Sequence, residues 1–278
     1  FNNYLNNLAL NSEQIDELSL HLDKFNLDNP KDKISSIGNF TNLWSLIMKS
    51  FRSKKKRIGI KEILCEEYIP YMIAEDFKCI LIIRDPRDMI TSLNYGKGPS
   101  FTGKLRPTLF NIRNWRKSVA FAINYKDNKN LFLIKYEDLV NNPQKKLDEI
   151  SNFLGIESYP ESFFSKNLID KGQNWSGNSS FESHKFISNK SVGNFRKILP
   201  LNLIEYIEIL CAPELNYMGY DVETFNDEIF ISKIINFEEV HDSREEFGKG
   251  YSLEKSRIKH EIERIRYVFS KDESNFKK

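Results

Sequence analysis

The sequence predicts an α/β protein: an open parallel sheet flanked by helices, with a helical C-terminal extension. Two short apolar runs carry the sheet, Cys79-Ile80-Leu81-Ile82-Ile83 and Leu131-Phe132-Leu133-Ile134. Both are continuous rather than alternating, as in parallel strands covered on both faces. Helical patterns separate and follow them, and strand–helix alternation of this kind argues for a parallel sheet. In such sheets ligands sit beyond the carboxyl ends of the strands.

The elements follow in order. Leu18, Leu20, Leu22 and Phe25 carry helical apolar spacing up to a break at Asn29-Pro30, and Leu43, Trp44, Ile47, Met48 and Phe51 repeat it. Lys54-Lys55-Lys56-Arg57 reads as the solvated end of that helix. Residues 57–61 form a short strand and 62–75 a helix. Residues 78–83 form the first buried strand, and Asp85-Pro86 opens the next helix with an N-cap and a proline at the first helical position. A long helical pattern covers 107–125, the second strand 131–134, and Asn142-Pro143 starts a helix through Leu147, Ile150 and Leu154. The Ser/Asn-rich stretch from Trp175 to Asn189 is a loop, and 199–210 is helical. Residues 1–222 then read as one α/β domain and 223–278 as the helical extension. In the latter, Ile258, Ile262, Ile265 and Phe269 form a stripe that packs on the core, with a homodimer through this helix as the alternative.

Composition excludes several classes. With 41 Lys+Arg against 39 Asp+Glu the net charge is +2, no footprint for bulk nucleic-acid binding. Hydrophobic residues make up 40% and aromatics 13%, too many for a disordered chain, yet no run reaches the roughly 20 residues of a membrane span. Cys65, Cys79 and Cys211 stand far apart and read as reduced thiols, and the histidines form no zinc spacing. No metal is expected. The chain opens on Phe1 without a signal-peptide pattern, so residues upstream are expected to have been left out.

The chemistry concentrates in Arg84-Asp85-Pro86-Arg87-Asp88-Met89-Ile90-Thr91-Ser92. Arg84 ends a buried strand, where a charge is costly unless partnered. One reading aims it at an anion beyond the sheet, with Ser92 adding a hydroxyl and the helix N-terminus its dipole. The other has it pair with Asp85 or Asp88 to lock the turn. Gly98-Pro99-Ser100-Phe101-Thr102-Gly103-Lys104-Leu105 nearly spells a phosphate loop, but Leu105 replaces the magnesium-binding hydroxyl and no strand precedes it.

Three further segments join the first: Lys135-Tyr136-Glu137-Asp138-Leu139, the helix end around Phe153-Leu154-Gly155, and Asn178-Ser179-Ser180-Phe181 continuing to Ile187-Ser188-Asn189-Lys190-Ser191-Val192-Gly193-Asn194-Phe195-Arg196. Together they resemble the sulfotransferases that use 3′-phosphoadenosine 5′-phosphosulfate (PAPS), in particular the bacterial and tyrosylprotein-like branch. The family's R-[DN]-P-R-D-x-x-x-S motif is matched from Arg84 to Ser92 without a gap. The resemblance implies a P-loop NTPase-like sulfotransferase fold. It implies that Arg84 and Ser92 grip the nucleotide's 3′-phosphate, that Tyr136 lies near the adenine, and that Ser188, Lys190 and Arg196 close over the same phosphate. Lys61-Glu62 resembles the K-[DE]-P segment whose lysine approaches the transferring sulfonate, with Ile63 in place of the proline.

Sulfonyl transfer builds negative charge on the leaving phosphate, which a preorganised cation stabilises, and needs a base for the acceptor's proton. Lys61 is the candidate cation. Glu62 is the first candidate base, with Glu66 and His184 behind it. The family's first loop, P-R-S-G-T-[ST], does not occur in the chain and is expected upstream. The implied activity is sulfonate transfer from PAPS to a hydroxyl or amine of a small-molecule, carbohydrate or peptide acceptor. The alternatives are a non-catalytic nucleotide-binding or helix-mediated assembly protein, and a P-loop-type kinase. Sequons at Asn39, Asn174, Asn178 and Asn189 fit an Asn-rich composition, and the Ile/Lys/Asn bias suggests a bacterial, cytoplasmic protein.

Overall fold

A computed structural model describes residues 59, 61, 63–96, 106–165, 169–170, 173–174, 181, 187–222, 230–238 and 254–271. The chain divides into two units, Phe1–Cys79 and Ile80–Lys278. In the first, the helix expected over 62–75 is much shorter. A 3-10 turn, Glu66–Tyr68, leads into α1 (Ile69–Ala74). Pro70 lacks an amide hydrogen and is tolerated only in a first turn, so the helix starts beside it. Leu64, at φ 58, has already left helical geometry. Ile69 and Ile73 are the buried face of α1. The helices expected before residue 55, most of the 57–61 strand, the near-phosphate-loop and most of the 175–189 loop lie outside the described residues.

The second unit is built on β1 (Cys79–Ile83), whose neighbour in the sheet is the later strand β2 (Leu131–Lys135). Between them run α2 (Pro86–Asn94) and α3 (Thr108–Tyr125). Groups just past the carboxyl ends of the two strands meet: the Asp85 amide donates to Glu137 Oε1 at 2.9 Å. Strands that end side by side and are joined through helices run parallel. The result is a small parallel sheet with flanking helices. The expectation of burial on both faces fails at β1: Leu81 and Ile83 are buried, whereas Ile80 and Ile82 are 37% and 52% exposed. A continuous apolar run cannot tell one covered face from two, because alternate residues point to opposite sides.

The caps act as the sequence predicts. Asp85 accepts the Arg87 amide at 2.9 Å with Pro86 in the first turn of α2. The α3 helix begins after Pro107 and buries Ile112, Trp115, Val119 and Ala122. After β2 come α4 (Tyr136–Asn141) and α5 (Pro143–Leu154), the latter closed by Gly155 at φ 64. That left-handed conformation is the usual reason for glycine at a helix end. A two-residue antiparallel ladder pairs β3 (Ile169–Asp170) with β4 (Gln173–Asn174).

Then α6 (Phe195–Ile198) precedes α7 (Leu201–Tyr217), which runs past the 199–210 expected and through Pro213. Burial of Leu203, Ile207, Leu210 and Leu215 at helical spacing holds it in the centre of the unit. Two helices from the segment read as an extension, α8 (Phe230–Ile235) and α9 (Glu254–Lys271), pack on α7. Ile262 and Ile265 are buried, and Glu261 accepts from Arg113 at 2.8 Å and from Arg116 on α3. Ile262 and Ile265 of the apolar stripe are therefore used within the chain. Among the described residues no helix is long and apolar enough to cross a membrane.

Candidate functional site

Two arginines three residues apart meet opposite fates at the end of β1. Arg87 is 2% exposed, and a charge so placed needs carboxylates. It has two: Asp85, reached by Nε at 3.0 Å and Nη2 at 2.7 Å, and Glu208 from α7, reached by Nη1. Burial opposes its charge, but the two acids outweigh burial and push its pKa above the ordinary arginine value. Asp85 is thereby committed to Arg87 and to capping α2. Asp88 is committed as well: Oδ2 accepts the Gly193 amide at 2.6 Å and Oδ1 the Phe195 amide at 3.0 Å. Burial raises the Asp88 pKa, against the lowering effect of those two amides and of the Arg84 charge.

Arg84 is left without either carboxylate, so the turn-locking role falls to Arg87. The Arg84 Nη2 donates to the Ser191 carbonyl at 2.9 Å, and its guanidinium carbon lies 4.6 Å from the centre of the Tyr136 ring. The Arg84 Nε is buried and has no acceptor among the described residues. The Trp115 indole donates to the Arg84 carbonyl at 2.7 Å, which fixes the backbone under the side chain. A stacked guanidinium with a buried, unfilled donor at the carboxyl edge of a sheet suits a tetrahedral oxyanion.

A second layer supports the turn. Glu137, at the start of α4, accepts the Asp85 amide on one oxygen and the Tyr220 hydroxyl on the other at 2.9 Å. Burial, then the Glu137 charge, raise the Tyr220 pKa, so this phenol stays a donor. Lys135 Nζ lies 4.0 Å from the Tyr220 ring centre and donates to the carbonyls of Met218 at 3.1 Å and Gly219 at 3.3 Å.

The predicted residues divide accordingly. Arg84 and Tyr136 are together, and the Tyr136 hydroxyl shares a 3.1 Å hydrogen bond with Ser191 Oγ. Ser92 is half-buried on α2. Ser188 is half-buried and accepts the amide of exposed Lys190 at 3.3 Å. Arg196 is exposed, its guanidinium carbon 4.5 Å from the Phe195 ring centre. Lys61 is exposed and belongs to the first unit. Glu66 opens the 3-10 turn there, while Glu62 and His184 lie outside the described residues. The residues missed are Ser191, Asp88, Glu137 and Tyr220. Asp88, Glu137 and Ser191 stood inside the quoted motifs; only their partners were hidden. Among the described residues no group of His, Cys, Asp and Glu is arranged to hold a metal.

Comparison with known proteins bears on this geometry. The family described as "Sulfotransferase domain" matches residues 63–219, more than half of the chain. That span holds Arg84, Ser92, Tyr136, Ser188, Lys190 and Arg196 and excludes Lys61 and Glu62. Carbohydrate sulfotransferase 3 of Tetronarce californica is 27% identical over 176 residues, 53% of this chain. The chain spans 38% of the length of that relative. The sulfotransferase domain from the curacin biosynthetic pathway is similar at 17% identity and a TM-score of 0.46, covering 67% of this chain and 69% of that one. Mouse sulfotransferase SULT7A1 complexed with PAP gives 16% and 0.39, over 64% and 71%.

Proposed function

The chain belongs to the sulfotransferase family, and from that premise we propose that it transfers a sulfonate from PAPS to a hydroxyl or amine by in-line displacement. The acceptor oxygen or nitrogen forms a bond to sulfur as the bond from sulfur to the 5′-phosphate oxygen breaks. Adenosine 3′,5′-bisphosphate leaves with the electron pair, and the acceptor's proton passes to a base. The observation that carries the reading is Arg84: its neighbouring carboxylates are engaged elsewhere, and its buried Nε lacks an acceptor among the described residues.

In this reading the Arg84 fork and the Ser92 hydroxyl hold the 3′-phosphate. Tyr136 stiffens Arg84 from one side and borders the adenine. Ser188, Lys190 and Arg196 supply the remaining polar contacts from the 187–196 segment. Lys61 is the proposed cation for the leaving phosphate, whose growing negative charge it stabilises more in the transition state than in the ground state. Glu62 is the proposed base. The acceptor is a small molecule, a carbohydrate or a peptide, and the similarity to a carbohydrate sulfotransferase favours a sugar hydroxyl. The P-loop NTPase-like character of the sheet, the bacterial and tyrosylprotein-like branch, residues 223–278 as a helical extension and a cytoplasmic location belong to the same proposal.

The test is calorimetric titration of the full-length protein with adenosine 3′,5′-bisphosphate and with ADP, which place the second phosphate differently. We expect tight binding of the first alone, weakened about 100-fold by Arg84→Ala, the loss of a charge-assisted bidentate contact. Preference for ADP, or indifference to Arg84→Ala, overturns the reading.

A further inference from the structure

The segment that reaches Arg84 is held by a residue that does not itself meet the guanidinium. Asp88 sits in the first turn of α2, 1% exposed, and spends both carboxylate oxygens on main-chain amides more than 100 positions away, those of Gly193 and Phe195. Two amides two residues apart face one carboxylate because the chain turns sharply there. Gly193 has φ +75, the Val192 amide returns to the Asn189 carbonyl at 2.9 Å, and the Arg196 amide to the Gly193 carbonyl at 3.2 Å. One end of the turn is anchored by Phe195, 1% exposed and stacked under the Arg87 guanidinium at 4.3 Å. Ser191 lies at the other end, its carbonyl on Arg84 and its hydroxyl on Tyr136.

An oxyanion arriving at Arg84 competes with the Ser191 carbonyl for the guanidinium hydrogens. Ser191 can shift only as far as the turn behind it allows, and the nearest fixed point of that turn is the Asp88 carboxylate. We propose that Asp88 is a positioning residue: by clamping the Gly193 and Phe195 amides it sets where Ser191 meets Arg84 and Tyr136, and so tunes affinity for the nucleotide's 3′-phosphate without touching it. The inference rests on the nucleotide reading above and assigns that site its second point of control.

The decisive variant is Asp88→Asn. It keeps size and removes a buried charge, so the fold is expected to survive. It also replaces one acceptor with an NH2 group that faces an amide hydrogen. In the full-length protein, hydrogen exchange resolved to the Gly193 and Phe195 amides should quicken. Affinity for adenosine 3′,5′-bisphosphate should fall about tenfold, as for one lost charge-assisted hydrogen bond. Affinity for adenosine 5′-monophosphate, which lacks the phosphate concerned, should stay within about twofold.

A merely structural Asp88 moves both nucleotides together, and that result overturns the proposal, as does unchanged exchange at the two amides. Gly193→Ala is the second variant, for the case in which Asp88→Asn does not fold. It strains a backbone at φ +75 and places a Cβ 2.8 Å from Arg196 Nη1, which loosens the same turn from outside the buried pocket. It should reproduce the selective loss, and equal loss of both nucleotides overturns the proposal. A wild-type protein that does not prefer the bisphosphate overturns the nucleotide reading instead, and exchange at the two amides still decides whether the clamp exists.

Discussion

Removal of Glu208 separates the arginine that holds the turn from the arginine proposed above to face the ligand. In Glu208→Ala the Arg87 guanidinium stays buried with Asp85 as its remaining carboxylate and with Nη1 left bare. Breaking a buried ion pair by deleting one partner costs about 3–5 kcal/mol. The two surviving bonds to Asp85 put this case at the lower end, about 3 kcal/mol. For a unit of this size that corresponds to a melting temperature lower by roughly 6–12 °C. With a urea m-value of about 2 kcal/mol/M the unfolding midpoint falls by about 1.5 M. Arg84→Ala, by contrast, removes a half-exposed side chain with one backbone partner and should shift the midpoint by less than about 0.5 M while abolishing nucleotide selectivity. Urea unfolding of both variants checks the pair. A Glu208→Ala midpoint within about 0.3 M of wild type would refute the claim that Arg87 needs both acids.

Further outcomes are expected. Arg116 and Arg113 outweigh burial and hold the Glu261 carboxyl below its ordinary 4.5, so its stabilisation is complete above that pH and is lost as pH falls through the lower folded value. Acid titration of α9 docking, followed by hydrogen exchange, should show this loss, and Glu261→Gln should flatten it. Asp88, with its pKa raised above 3.8, contributes with the opposite sign, its share declining as pH rises through its folded value. Ile265→Ala, at a position 0% exposed between α9 and the rest of the unit, should cost about 2–4 kcal/mol by urea unfolding. Burial pushes the Cys79 thiol up to about 11, so alkylation in the native protein at pH 8 should leave Cys79 unmodified until the pH is raised or the chain unfolds.

What was legible in the sequence was local. Asp85-Pro86 announces a helix start because cap and proline act within one turn, and both strands are visible as apolar runs of the right length. The division of labour between Arg84 and Arg87 was not. Both stand in one motif, and which is buried depends on Glu208, 121 positions later. A trace of it was present: Glu208 is a lone acid in the apolar stretch Tyr206-Ile207-Glu208-Ile209-Leu210, and a carboxylate placed there needs a cation. Ser191 stood inside a quoted segment with nothing to mark its role. Side-chain chemistry directs attention to Ser188 and Lys190, whereas Arg84 takes a backbone carbonyl, which any residue supplies. The shortened first helix shows the reverse case, where Pro70 was in plain view and the apolar spacing around it masked its effect.

Two contacts that complete the strand end span long stretches of chain: Arg84 to Ser191 over 107 residues, Arg87 to Glu208 over 121. During synthesis β1 and its turn emerge first, with Arg87 already beside Asp85, and must wait for most of the second unit before Arg84 meets Ser191 and Arg87 meets its second acid, Glu208. Interactions of such high contact order form late and slowly. A nascent chain halted before Ser191 carries the Arg84–Ser92 motif entire, yet Arg84 lacks its backbone acceptor. Arg87 of that fragment, still lacking Glu208, keeps its Nη1 in water. On the nucleotide reading proposed above, ligand capture is thereby deferred to the point where α7 has left the ribosome, and fragments ending between the motif and Glu208 are the ones expected to fall to proteases.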